Sequence, residues 1–179
     1  MADFNMLFAG FGGQGVLFAG KIVASAGLIE EKSVSWLPSY GPEMRGGTAN
    51  CSVCVSDRPI GSPLVVTPNV FVPMNLPSFD KFINAVVPGG KVILDSTLVS
   101  SKVEREDVDA FYIPATKLAE EAGMKKLANV ILVGKVFKET GFCSYEALEK
   151  ALKKSVPASK AHLFDINRKA IEIGINFNS

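Results

Sequence analysis

An apolar run that breaks into glycine and resumes at once as a helix leaves a chain few folds to choose from. Asn5 to Phe11 is such a run, Gly10, Gly12, Gly13 and Gly15 form the break, and apolar residues continue from about Gln14 to Glu31. The pattern predicts a strand, a tight turn and a helix, the opening of an α/β unit. The helix is apolar or small nearly all round, with Lys21 and Ser25 the main exceptions, so it is expected to lie buried against a sheet. Gly10-Phe11-Gly12-Gly13-Gln14-Gly15 also satisfies the spacing G-x-G-x-x-G, in which backbone N–H groups at a helix start receive a phosphate. The second half of that signal is absent. A nicotinamide dinucleotide site needs an acid at the end of the second strand, and here that strand, Ser33 to Leu37, runs into Pro38 and Ser39. Glu30 and Glu31 come before it. The turn therefore reads as close strand-helix packing, or as a cradle for some other phosphate, ahead of an NAD(P)-dependent reductase.

Trp36 to Asn50, WLPSYGPEMRGGTAN, is expected to be an irregular loop. Pro38 and Pro42 remove backbone donors, and Gly41, Gly46 and Gly47 permit angles closed to other residues. Such a loop would present Ser39, Tyr40, Glu43, Arg45 and Asn50 from a rigid scaffold, where binding residues concentrate, or it would simply turn the chain. Further strands are expected at Thr48 to Val55, Val70 to Met74, Lys91 to Asp95 and Asp109 to Ile113. A helix follows Asn75-Leu76-Pro77 with Ser78 as its N-cap. From Ala115 onward only helices are read: Ala115 to Gly123, Ala128 to Thr140, Ser144 to Val156 with Ser144 as cap, and about Lys160 to Phe177. The last carries two adjoining apolar stripes, which wrap over the core or face a partner. Together these give an α/β, Rossmann-like fold, a mainly parallel sheet flanked by helices with a helical C-terminal third, in one domain.

A formal net charge of +1 with 21% charged residues provides no global field to gather nucleic acid or an anionic membrane. No apolar stretch is long enough to span a bilayer, and no basic leader precedes the first apolar run, so the expected setting is the cytoplasm. With 47% hydrophobic residues, some apolar surface could be meant for another subunit. Cys51 and Cys54 have C-x-x-C spacing, but on a strand they point to opposite faces with Cα atoms about 10 Å apart. They cannot share a metal or a disulfide. Only Cys143 and His162 remain, too few for a zinc or iron-sulfur site.

The segments Gly12-Gly13-Gln14-Gly15-Val16, Pro38 through Cys51, Ile60-Gly61-Ser62-Pro63, and Met74-Asn75 with Pro77-Ser78 closely resemble the gamma subunit of 2-oxoacid:ferredoxin oxidoreductases. Tyr40-Gly41-Pro42-Glu43-Met44-Arg45-Gly46-Gly47-Thr48 looks more like the 2-oxoglutarate or 2-oxoisovalerate type than the pyruvate type. The resemblance implies a single gamma-type domain over residues 1–179, in an enzyme that oxidatively decarboxylates a 2-oxoacid to an acyl-coenzyme A and reduces ferredoxin. In that family thiamine diphosphate lies between alpha and beta subunits, and the clusters belong to the beta and ferredoxin-like delta subunits. The chain itself would then bind no cofactor alone and catalyse nothing alone. The implied interface or cofactor-facing residues are Gly10, Gly12, Gly13, Gln14, Gly15, Ser39, Tyr40, Glu43, Arg45, Gly46, Gly47, Asn50 and Asn75. Whether they help enclose coenzyme A, or serve a purely structural subunit, the sequence leaves open.

Overall fold

The computed structural model describes residues 3–40, 48–156 and 158–178. Strands β1 (Phe4–Phe11), β2 (Ser33–Tyr40), β3 (Thr48–Ser56), β4 (Val70–Pro73), β5 (Lys91–Asp95) and β6 (Asp109–Ile113) form one sheet in the order β2-β3-β1-β4-β5-β6. β4, β5 and β6 follow β1 in parallel, whereas β3 is antiparallel to both of its neighbours. Five strands thus share one direction and β3 alone opposes them. The helices are α1 (Val16–Ile29), α2 (Leu76–Phe82), α3 (Ala115–Glu121), α4 (Ala128–Thr140), α5 (Tyr145–Ser155) and α6 (Phe164–Asn176).

Alternation along the strands divides the core in two. Met6, Phe8, Cys51, Val53, Val72 and Ile93 face the large cluster under α1 and α3 to α6. Their neighbours Leu7, Ala9, Phe71, Val92 and Leu94 face a smaller cluster capped by Phe79 of α2. Covering both faces is what allows the central strands to be continuously apolar. Beyond α2's reach, the irregular segment after β3 covers the second face: Ser52 Oγ accepts from Val65 N at 3.1 Å, and Cys54 Sγ lies 3.8 Å from Ser62 O.

Two local expectations are corrected. Trp36 to Tyr40 is not loop but the second half of β2, paired as far as Tyr40 opposite Ala49. Pro38 is tolerated there because β2 is the sheet's edge and needs ladder bonds on one side only. Ser78 is not the cap of α2. Asn75 is: its Oδ1 accepts from Ser78 N at 2.9 Å, and Pro77 sits in the first turn, where its missing donor costs nothing. Ser144 caps α5 as expected, its Oγ accepting from Ala147 N.

The final helix belongs to the core. Ala170, Ile171 and Gly174 are buried, and Phe164, Ile166, Ile173, Ile175 and Phe177 pack against the large cluster. α4 and α6 meet at Gly134 and Gly174, so closely that a Cβ on Gly174 would come within 2.0 Å of Ile131 O.

Candidate functional site at the carboxyl end of the sheet

The glycine turn and the Pro/Gly segment, far apart in sequence, leave from the same end of the sheet. β1 ends with Gly10 and Phe11 opposite Ala49 and Thr48 of β3, while Tyr40, the last residue of β2, also lies opposite Ala49. Ser39 and Asn50 face one another in the β2–β3 pairing at this end. The backbone of Tyr40 closes β2. Glu43, Arg45, Gly46 and Gly47 lie outside the described residues. β4 and β5 end here too, at Pro73 and Asp95. After β1 the chain passes to β2 and β3 on one side, then returns to β4 on the other, so the β1–β4 boundary is the point at which strand order reverses, where α/β sheets commonly hold ligands.

Gln14 occupies that boundary. Its Oε1 accepts from Phe11 N at 2.6 Å and Asn75 Nδ2 at 3.3 Å, and its Nε2 donates to Met74 O at 2.9 Å. The side chain thereby ties the turn after β1 to the turn after β4. Gly13 and Gly15 have φ of 95° and 77°, the left-handed region in which a side chain would be strained. At Gly15 a Cβ would also lie 2.3 Å from Asn129 Nδ2, which donates to Gly15 O at 3.1 Å. Of the sequence-derived residues, the structure therefore brings together Gly10 to Gly15 with Asn75. Gln14 and Asn75 are neutral amides that neither yield nor take a proton at ordinary pH. They set backbone geometry.

Beside the turn lies a cleft of about 190 Å³ whose lining includes Gln14, Asp95, Thr116, Lys125, Lys126 and Asn129. Asp95 is 1% exposed, its Oδ1 accepting from Thr97 N and its Oδ2 from Thr116 N and Oγ1, so it pins the start of α3 to the end of β5. Sequence reasoning did not single out Asp95, Thr116, Lys125, Lys126 or Asn129. The available signals were an acid closing an apolar strand and a lysine pair just before a helix.

The thiols are separated. Cys51 Sγ lies 3.6 Å from Val16 O under α1, Cys54 points to the opposite face, and Cys143 is near Glu30. This donor set does not fit a shared metal or cluster. Burial pushes the Cys51 thiol up to about 12, and burial, with Glu30 second, does the same for Cys143. His162 is exposed. Exposed apolar side chains include Trp36 and Leu37, neighbours on β2 that point to opposite faces, and Leu64 and Val66 on the segment that covers Ser52, the residue opposite Leu37. No helix among the described residues is long and apolar enough to cross a membrane.

The family model for pyruvate ferredoxin/flavodoxin oxidoreductase matches residues 5–177. The chain belongs to this family. Among relatives in the pyruvate ferredoxin/flavodoxin oxidoreductase family, it is 39% identical to the 2-oxoglutarate synthase subunit KorC of Methanocaldococcus jannaschii, over 83% of this chain and 81% of KorC. It is 40% identical to the ketoisovalerate oxidoreductase subunit VorA of Methanothermobacter thermautotrophicus, over 96% of this chain. The chain spans only 36% of the length of VorA. A solved structure, the gamma subunit of keto/oxoacid ferredoxin oxidoreductase from Geobacter sulfurreducens, superposes with a TM-score of 0.81 at 29% identity, covering 96% of both chains.

Proposed function

We propose that the chain is the gamma-type subunit of a 2-oxoacid:ferredoxin oxidoreductase, of the 2-oxoglutarate or 2-oxoisovalerate type. The observation that carries this reading is the KorC match, which spans most of both proteins. In the assembled enzyme, alpha and beta subunits supply the thiamine diphosphate site, the iron-sulfur clusters reside on the beta and delta-type subunits, and ferredoxin takes the electrons. Oxidative decarboxylation needs a carbanion sink and a redox chain that ordinary side chains do not supply. The chain's own contribution is a shaped surface: Ser39, the backbone of Tyr40, Thr48 to Asn50 and the glycine turn at one sheet end, with the exposed Leu37, Leu64 and Val66 nearby. It docks there on the alpha and beta subunits, close to where coenzyme A receives the acyl group, in the cytoplasm.

The test is reconstitution of alpha and beta subunits with and without this chain, assayed for coenzyme-A-dependent reduction of a viologen dye with 2-oxoglutarate and 2-oxoisovalerate in parallel. Turnover that requires the chain, on one of the two acids, is expected. Full turnover and unchanged coenzyme A affinity without it would remove the proposal, as would turnover by the isolated chain.

A further inference from the structure

The glycines of the turn after β1 divide into two kinds. A Cβ on Gly10 would stand 2.7 Å from Gln14 Oε1 and 3.0 Å from Met74 Cβ, so a bare α-carbon there is what lets Gln14 fold back over its own turn. A Cβ on Gly15 would strike Asn129, whose amide holds Gly15 O. Gly13 is unlike both. It is exposed, has a φ of 95°, and among the described residues nothing lies within 4 Å of the place its Cβ would take. Gly10 and Gly15 make room for the protein's own amides, and Gly13 forms a bare tip that another chain can approach closely.

The Gln14 amide works on two sides at once. Toward its own turn, Oε1 accepts from Phe11 N at 2.6 Å. Toward the turn after β4, Nε2 donates to Met74 O at 2.9 Å, and Oε1 accepts from Nδ2 of Asn75, a residue that is 4% exposed and caps α2. Only a group that donates and accepts from one end can do this: a carboxylate lacks the donor, and a thioether donates nothing. The β1–β4 pairing ends at Ala9 opposite Pro73, with Met74 N donating to Ala9 O at 2.8 Å. Gln14 carries the link past that last ladder bond.

We propose that Gln14 is a positioning residue for docking: by clamping the turn after β1 to the turn after β4, it holds the Gly13 tip in the geometry that the alpha and beta subunits meet. This rests on the gamma-type reading above, and it gives the fingerprint glycines a use that needs no phosphate.

Gln14→Met keeps the length of the side chain and removes its bonds to Phe11, Met74 and Asn75, whereas Gln14→Glu keeps the acceptor and removes the donor. Gly174→Ala, at the α4–α6 crossing, is the control for lost stability alone. Each chain is titrated against the alpha and beta subunits well below its melting temperature. Gln14→Met should weaken association about tenfold or more, with Gln14→Glu between it and wild type, and Gly174→Ala unchanged. Turnover at saturating chain should match wild type throughout. If Gln14→Met does not fold, Asn75→Asp decides: it keeps the cap of α2, removes one bond to Gln14 and should weaken association about threefold or more. Unaltered association of the variant that decides, or a loss that Gly174→Ala shares in full, would overturn the proposal and leave the gamma-type reading standing. A wild-type chain that associates with neither subunit would remove both.

Discussion

Asn75 does two jobs with one amide: Oδ1 caps α2 and Nδ2 reaches Gln14. Asn75→Ala is therefore expected to cost about 2 kcal/mol, a lost cap plus a lost buried bond, in chemical denaturation. Asn75→Asp, which retains the cap and loses the donor to Gln14, should recover only part of it. The cysteines make a pH prediction. Their ordinary value is 9.0, and burial holds Cys51 and Cys143 up at about 12. Between those limits the unfolded chain releases thiol protons that the folded chain keeps. Stability from this source is complete below about pH 9 and is lost as pH rises toward 12. The melting temperature should fall over that window, less steeply in Cys51→Ala, and iodoacetamide at pH 8 should label neither thiol without denaturant. At this scale the sequence was informative about residue type and less so about partner. Asn75 and Ser78 are both good caps three positions apart, and Pro77 between them does not choose, because the first turn of a helix makes no use of its missing donor.

Elements with strong periodicity and clear punctuation were legible: α4 begins and ends where Ala128 and Thr140 suggested, and β5 and β6 likewise match their apolar runs. Local pattern ends β2 at Leu37, because a proline breaks an interior strand, and the edge position that tolerates Pro38 depends on strand order, which no local pattern encodes. The cleft was illegible for a related reason. Asp95, Thr116 and Asn129 meet only once the sheet and α4 are assembled. The α4–α6 crossing gives the prediction for this scale. Added Cβ atoms at Gly134 and Gly174 would strike backbone, at 2.2 Å from Ile171 O and 2.0 Å from Ile131 O, which no rotamer change relieves. Gly174→Ala should cost about 1–3 kcal/mol in urea denaturation, against a change within about 0.5 kcal/mol for Gly61→Ala, where the space is open.

For the whole molecule, the exposed apolar residues beside β2 are the feature with the clearest external use. Leu37→Asp together with Leu64→Asp should weaken association with the alpha and beta subunits about tenfold or more while leaving the melting temperature of the isolated chain unchanged. Leu28→Asp, also at an exposed leucine but on α1, is the control and should leave association unaltered. Gel filtration of equimolar mixtures reads both. The lone opposed strand, β3, has a consequence for the order in which the chain assembles. It is flanked by β2, its immediate predecessor in sequence, and by β1, from which it is separated by the whole of α1. Closing the short β2–β3 link costs far less chain entropy than closing the long one, so the hairpin is favoured to zip first and then meet β1 as a ready-made pair. β1 then closes a shorter loop on this pair than on β4, which comes later in the chain, so the antiparallel edge is favoured to form before β4 adds to the sheet.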